Sequence, residues 1–207
     1  MNEAVIRHYD KLIDENNDPV CDPEPLKAYM DKWDGSEFIS KLNLNKQSSV
    51  LEIGVGTGRL AVRTAPLCDG FFGIDISPKT IDRAWVNLKQ YNNVSLICGD
   101  FLSYGFDRTF DIIYSSLTFM HIKDKQAAIN KAASLLSDGG KFVISIDKNQ
   151  DEYIDTGASK IKIYPDNPNA ISSCIKNAEM TIEDSFETEF AYIFCAKHNR
   201  FDRKEQL

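Results

Sequence analysis

One stretch constrains the fold of this chain more than any other: Val50-Leu51-Glu52-Ile53-Gly54-Val55-Gly56-Thr57-Gly58-Arg59-Leu60-Ala61. An apolar, β-branched run meets three glycines at alternate positions, and helix-forming residues follow. The pattern fits a buried strand that turns sharply into a helix. Glycine lets the backbone approach a ligand more closely than any Cβ would allow. A helix start also offers unpaired N–H groups and a positive dipole end, which suits an anionic group. A nucleotide-like ligand is therefore expected here. Spacing narrows its identity. The dinucleotide fingerprint has glycines at relative positions one, three and six; here they fall at one, three and five, and Arg59 takes the sixth.

Further apolar runs follow in order. Phe71-Phe72-Gly73-Ile74 ends in Asp75 and Ile76, Val94-Ser95-Leu96-Ile97 ends in Cys98-Gly99-Asp100-Phe101, and Phe110-Asp111-Ile112-Ile113-Tyr114 opens into Ser115-Ser116-Leu117. Between them, Ser77 with Pro78 starts one helix, and Asp124 caps another. Asp138-Gly139-Gly140 is expected to end that second helix and turn the chain into the strand 141–146. Strands alternating with helices indicate a parallel sheet covered on both faces. A further helix is expected over 169–179. Two last strands, near 181–188 and 190–197, are too close for a helical crossover and should form an antiparallel hairpin at the sheet edge.

Size and composition fit this architecture. A chain of 207 residues, 43% hydrophobic and 27% charged, can bury one good core. It has no apolar run long enough to span a bilayer. Seven charged residues within the first twenty leave no signal-peptide core. The five cysteines, Cys21, Cys68, Cys98, Cys174 and Cys195, are scattered and form no Cys-x-x-Cys pair, which favours a reducing cytoplasm over a disulfide framework or zinc site. The net charge is −7 and no basic stripe is visible, so nucleic acid is not an expected partner.

The order and spacing of these motifs resemble the class I S-adenosylmethionine (SAM)-dependent methyltransferases over most of the chain. The resemblance implies a Rossmann-like, doubly wound seven-stranded sheet, mostly parallel with an antiparallel C-terminal strand. It implies SAM as cofactor and S-adenosylhomocysteine (SAH) as product. By resemblance, Gly54, Val55, Gly56, Thr57 and Gly58 cradle the methionine part and Glu52 orients it. Asp75 and Ile76 would serve the ribose, Gly99, Asp100 and Phe101 the adenine, and Ser115 would line the path to the sulfonium. Residue by residue, plainer readings stand beside these: Asp75 can serve only its turn, and Asp100 can be a solvated loop acid. The residues after the fourth strand lack the Asn/Asp-Pro-Pro-Tyr/Phe motif of the DNA-adenine and glutamine methyltransferases. No Pro-Cys pair is present for cytosine-C5 chemistry. Met120 stands where some quinone O-methyltransferases carry a metal-binding Glu, so no metal is inferred.

Two regions lie outside that scaffold. Residues 1–47 carry three apolar helical faces, Val5/Tyr9/Leu12/Ile13, Leu26/Tyr29/Met30/Trp33 and Phe38/Ile39/Leu42, and read as a helical cap of the same domain that continues over 48–207. Residues 149–168 read as a hairpin, with Thr156-Gly157 at its turn, that forms either a lid or a plain extension. Methyl transfer from SAM is an in-line displacement in which the protein must align the groups and exclude water. A base is needed only when the nucleophile arrives protonated. His121 follows the fourth strand and is the candidate base or acceptor contact. Tyr9 resembles the cofactor-covering tyrosine of small-molecule members. Trp33 can wall a cationic amine. Each also reads as an ordinary packed residue.

The expected function is therefore methyl transfer to a small-molecule acceptor by a cytoplasmic monomer or homodimer. The alternatives are an RNA- or protein-directed methyltransferase and a non-catalytic SAM-binding module. The last requires the space between cap and sheet to be filled by side chains.

Overall fold

The computed structural model describes residues 3–155 and 160–199. Three helices come first: α1 (Glu3–Asp14), α2 (Glu24–Met30) and α3 (Gly35–Leu42). The alternating part is β1 (Ser49–Ile53), α4 (Ala61–Thr64), β2 (Gly70–Asp75), α5 (Pro78–Leu88), β3 (Val94–Cys98), β4 (Phe110–Ser115), α6 (Lys125–Leu135) and β5 (Leu136–Asp147). A small hairpin, β6 (Tyr153–Asp155) and β7 (Lys160–Lys162), precedes α7 (Pro168–Asn177), β8 (Met180–Glu187) and β9 (Ala191–His198). The main sheet has seven strands in the order β3-β2-β1-β4-β5-β9-β8. The first five are parallel, and β9 runs antiparallel to both of its neighbours. The expected closing hairpin is thus present.

Both faces of the sheet are buried, which explains why the central strands are continuous apolar runs. Successive residues point to opposite sides. Leu51, Ile53, Ile113, Phe142 and Ile144 join α6 and α7 on one side. Val50, Phe71, Ile112, Tyr114 and Val143 join α3 and α5 on the other. Ser77 caps α5 by accepting from the Thr80 N–H, and Asp124 caps α6 by accepting from Ala127 N–H.

Two local expectations need correction. The helix after the glycine turn is four residues long, so its dipole contributes little at the turn. Asp138-Gly139-Gly140 does not end α6. That helix stops at Leu135, and strand pairing resumes at once with Leu136 against Phe110, across an irregularity in the ladder; Gly139, at φ +74°, lies inside β5. The pairing of β6 with β7 agrees with the expected hairpin, while Thr156-Gly157 lies outside the described residues. No helix among the described residues is long and apolar enough to cross a membrane.

Charges fasten the peripheral segments to the sheet. Asp10 of α1 accepts from Ser77 Oγ (2.7 Å) and Lys79 N–H (3.2 Å), and Asp14 accepts from Lys79 Nζ (2.6 Å). Asp18, buried between α1 and α2, accepts from Arg83 (3.2 Å) and Asn87 (3.1 Å). Asn87 also donates to Thr57 O (2.9 Å), so the same side chain touches the glycine turn. On the other flank, Lys125 Nζ forms an ion pair with Asp166 Oδ1 (2.8 Å) and donates to Tyr164 O (3.0 Å) and Phe119 O, while Tyr164 N–H donates to Met120 O (2.7 Å).

Lys125 and Asp166 are 15% and 1% exposed. Removing one partner of such a pair leaves a buried charge uncompensated, at a cost of about 3–5 kcal/mol. Lys125→Met should lower unfolding free energy by that order in urea titrations. The double variant Lys125→Met/Asp166→Leu should regain most of it, and equal losses in both would contradict the pair.

Candidate active site

The carboxyl ends of β1, β2, β3 and β4 open into a cavity of about 880 Å3 beneath α1 and α2. Its walls on the sheet side are Glu52, Gly54, Val55, Gly56, Thr57, Arg59, Asp75, Ile76, Gly99, Asp100 and Phe101. Across from them stand Tyr9, Leu12 and Ile13 of α1, Leu26 and Met30 of α2, the loop from Leu117 to Asp124, and Tyr164.

The three glycines of the turn do different work. All have positive φ, +77° at Gly54, +55° at Gly56 and +97° at Gly58, which glycine adopts without the Cβ clash that burdens other residues. A Cβ on Gly54 would strike the side chain of Thr118. A Cβ on Gly58 would stand 3.2 Å from Leu88 Cδ1, and Gly58 does not line the cavity. Only at Gly56 would a Cβ enter open space. Among the three, Gly56 is the one whose backbone a ligand could approach, while Gly58 serves the packing of the turn on α5.

Asp75 at the tip of β2 is half-buried and bridges two backbone donors, Gly56 N–H to Oδ2 (3.0 Å) and Ser77 N–H to Oδ1 (3.0 Å). Burial raises its pKa, and these N–H groups oppose the shift. A carboxylate has about four lone-pair sites, so both oxygens can still accept ligand hydroxyls. The turn role therefore leaves acceptor capacity on the same side chain. Asp100 accepts from Leu102 N–H (2.9 Å), and its neighbour Phe101 is buried against the core.

Glu52 is 3% exposed. Tyr114 Oη donates to its Oε2 (2.9 Å). Burial pushes this carboxyl up to about 8; Tyr114 and Arg59 pull it down, and Asp34 and Asp75 push it up further. Arg59 does not cancel the shift because it is held elsewhere. Its guanidinium forks onto both oxygens of Asp34, Nη1 at 3.1 Å from Oδ1, with Asp31 at 3.7 Å. Asp34 also accepts from Ser116 Oγ (2.8 Å) and Gly35 N–H (2.8 Å).

Opposite, Tyr9 Oη lies 2.7 Å from His121 Nε2, and the rings meet edge to face at 5.4 Å. Burial lowers the His121 pKa to about 4, with His8 and Lys125 adding to the effect. Burial and the Asp75 charge raise the Tyr9 phenol well above its usual value. Both are neutral at pH 7.

Two proposed contacts are displaced. Trp33 does not line the cavity. It packs on Phe190 (4.7 Å between centroids) and Tyr29 (5.6 Å), because the chain leaves α2 toward the β8–β9 turn, where Phe190 N–H donates to Lys32 O. Ser115 is fully buried and donates to Ile53 O (2.9 Å), tying β4 to β1; the next residue, Ser116, faces the cavity. Sequence reasoning missed Asp34, Ser116, Asp22 and Tyr164 as site residues. It noted Arg59 only as a break in glycine spacing. An arginine directly after a ligand-binding turn was a usable signal; Asp34 gave none.

Residues 51–144 match a family model described as "Methyltransferase domain". An uncharacterized methyltransferase of Anoxybacillus flavithermus is 36% identical over 123 residues, 58% of this chain and 57% of that protein. A malonyl-[acyl-carrier protein] O-methyltransferase of Ilyobacter polytropus is 32% identical over 102 residues, 48% of this chain and 38% of that one. These matches span about half the length of the curated relatives. The crystal structure of N-methyltransferase NodS from Bradyrhizobium japonicum with SAH superposes with a TM-score of 0.69 at 16% identity, covering 95% of this chain and all of that one.

Two outcomes follow from this geometry. Gly56→Val should abolish SAH binding in calorimetry while the fold persists, at a strain cost of ~1–2 kcal/mol for a non-glycine residue in the left-handed region. Gly58→Ala should lose stability but still bind SAH, and the reverse assignment would refute the division of labour. Glu52 gives a pH signature. Its folded pKa lies above the unfolded value, so the stability it contributes is complete below the ordinary carboxylate range and disappears as pH rises through about 8. The ligand-free melting temperature should therefore fall between pH 6 and 9, and Glu52→Gln should flatten that part of the slope.

Proposed function

We propose that the chain is a SAM-dependent methyltransferase and that it transfers a methyl group to a small, largely apolar molecule bound beneath α1 and α2. One observation carries the reading. A single cavity joins the glycine turn and the acids Glu52, Asp75 and Asp100 to an apolar wall of Leu12, Ile13, Leu26 and Met30. Its volume of about 880 Å3 lies in the upper part of the usual range for ligand sites, ~300–1,000 Å3. A non-catalytic SAM-binding module would have that second half filled with side chains.

The residues fit the cofactor. Gly56 leaves open space where a Cβ would stand, for a backbone approach. Glu52 is a desolvated carboxyl with one hydroxyl donor, suited to an ammonium. Asp75 keeps acceptor capacity for ribose hydroxyls. SAM supplies a methyl on a sulfonium that is already a good leaving group. The protein's part is alignment and dryness. α1 and α2 contribute residues to the far wall, and Lys125, by binding Phe119 O and Tyr164 O, fixes the turn that carries His121. The relatives' printed activities differ in acceptor atom, an O-methyltransferase on one side and an N-methyltransferase on the other. They therefore leave the acceptor to this chain's own wall.

SAH should raise the melting temperature and NAD should not. A ligand bound only by the native state at a hundred times its Kd adds about 2.7 kcal/mol. Equal shifts from both ligands would remove the cofactor reading. Turnover is tested by SAH release from SAM in a screen of small-molecule acceptors.

A further inference from the structure

The half of the cavity away from the glycine turn describes its occupant. Leu12, Ile13, Leu26 and Met30 require an apolar body. Within that wall stands one polar pair, Tyr9 Oη and His121 Nε2, 2.7 Å apart. His121 Nδ1 is buried and has no hydrogen-bond partner. A histidine that works as a general base has its second nitrogen bonded to a carboxylate or carbonyl, which orients the ring and stabilises the imidazolium. Neither is in place here. The electrostatic influences of His8 and Lys125 on the ring also oppose a second proton. His121 therefore does not take a proton from the acceptor.

That selects among nucleophiles. An alcohol needs a base, and neither member of the Tyr9–His121 pair supplies one. A thiol must ionise first, which burial opposes. A carboxylate would meet Asp22 and Asp124 at the wall against one lysine, Lys123. A neutral amine needs none of these aids, and burial favours its uncharged form. Tyr9 Oη has one bond to His121 and keeps an accepting lone pair whichever ring nitrogen carries the proton.

We infer that the acceptor is a primary or secondary amine on an apolar body, oriented by donating an N–H to Tyr9 Oη and methylated on nitrogen without a protein base. The nitrogen lone pair forms the N–CH3 bond as the C–S bond breaks. The C–S electron pair remains on sulfur, the positive charge passes to nitrogen, and the ammonium proton is lost to water after release. This rests on the methyl-transfer reading, and the test separates the two.

Four ligands of one skeleton serve as probes: 3-phenylpropylamine, 3-phenylpropan-1-ol, 3-phenylpropane-1-thiol and 3-phenylpropanoate. SAH binding is measured first by calorimetry. Its absence would remove the cofactor reading and this inference with it. With SAH bound, the amine should bind at least tenfold tighter than the other three. With SAM, it alone should release SAH. Tyr9→Phe should raise the Kd of the amine about tenfold and move that of the alcohol little. With SAH binding intact, equal binding of the four, no turnover of the amine, SAH release from the alcohol or the acid, or an unchanged amine Kd in Tyr9→Phe would overturn the amine assignment alone.

Discussion

Arg59 sets the register of three separate segments through the buried carboxylate of Asp34. It lies at the end of the glycine turn, Asp34 lies between α2 and α3, and Ser116, on the loop after β4, donates to the same carboxylate. Asp34 is 1% exposed, so this charge exists in the fold only because the fork, the hydroxyl and Gly35 N–H surround it. Such a pair adds little net stability, because desolvation offsets its attraction. Its consequence is geometric. A bidentate guanidinium–carboxylate contact fixes direction as well as distance, so the cap, the turn and the loop meet in one arrangement.

The same pairing shapes the electrostatics of the cavity. Arg59 borders it but is neutralised by Asp34 and Asp31. The carboxyls of Glu52 and Asp75 therefore face the interior without a cation, and burial raises both. A cavity of this kind is set against anions and in favour of a positively charged ligand, whose arrival would favour the ionised carboxylates. Across it, the Tyr9–His121 pair is neutral. The site thus has buried carboxyls at the strand ends and, across an apolar wall, the uncharged Tyr9–His121 pair, a division that suits a cationic cofactor facing an uncharged nucleophile.

Holding the walls apart falls to peripheral charges. Asp10, Asp14 and Asp18 fasten α1 and its following turn to α5, and Asn87 extends that contact to Thr57 O. Lys125 and Asp166 fasten the segment after β7 to the turn that carries His121. Exposed members of this set, such as Lys79 with Asp14, contribute little stability individually. The buried Asp18 and Asp166 specify where their segments dock.

Local chemistry wrote much of this protein into its sequence. Runs such as Val50–Ile53 and Phe110–Ser115 declared buried parallel strands, because both faces of each strand had to be apolar. Ser77 and Asp124 declared helix starts, because their oxygens serve N–H groups three residues on. Gly54, Gly56 and Gly58 declared a turn that other residues resist, and the acids at the strand ends declared one ligand face. Tertiary structure alone decided what each of those residues meets. Of the three, only Gly56 has open space where a Cβ would stand; Gly58 meets Leu88, whose position depends on how α5 packs. Ser115 turned inward and Ser116 outward by the alternation of a strand whose last residue the sequence left uncertain. Trp33 went to Phe190, and Asp34 to Arg59, across 157 and 25 positions of chain. Periodicity and spacing report contacts within one element, whereas pairs of this kind exist only once separate elements have docked.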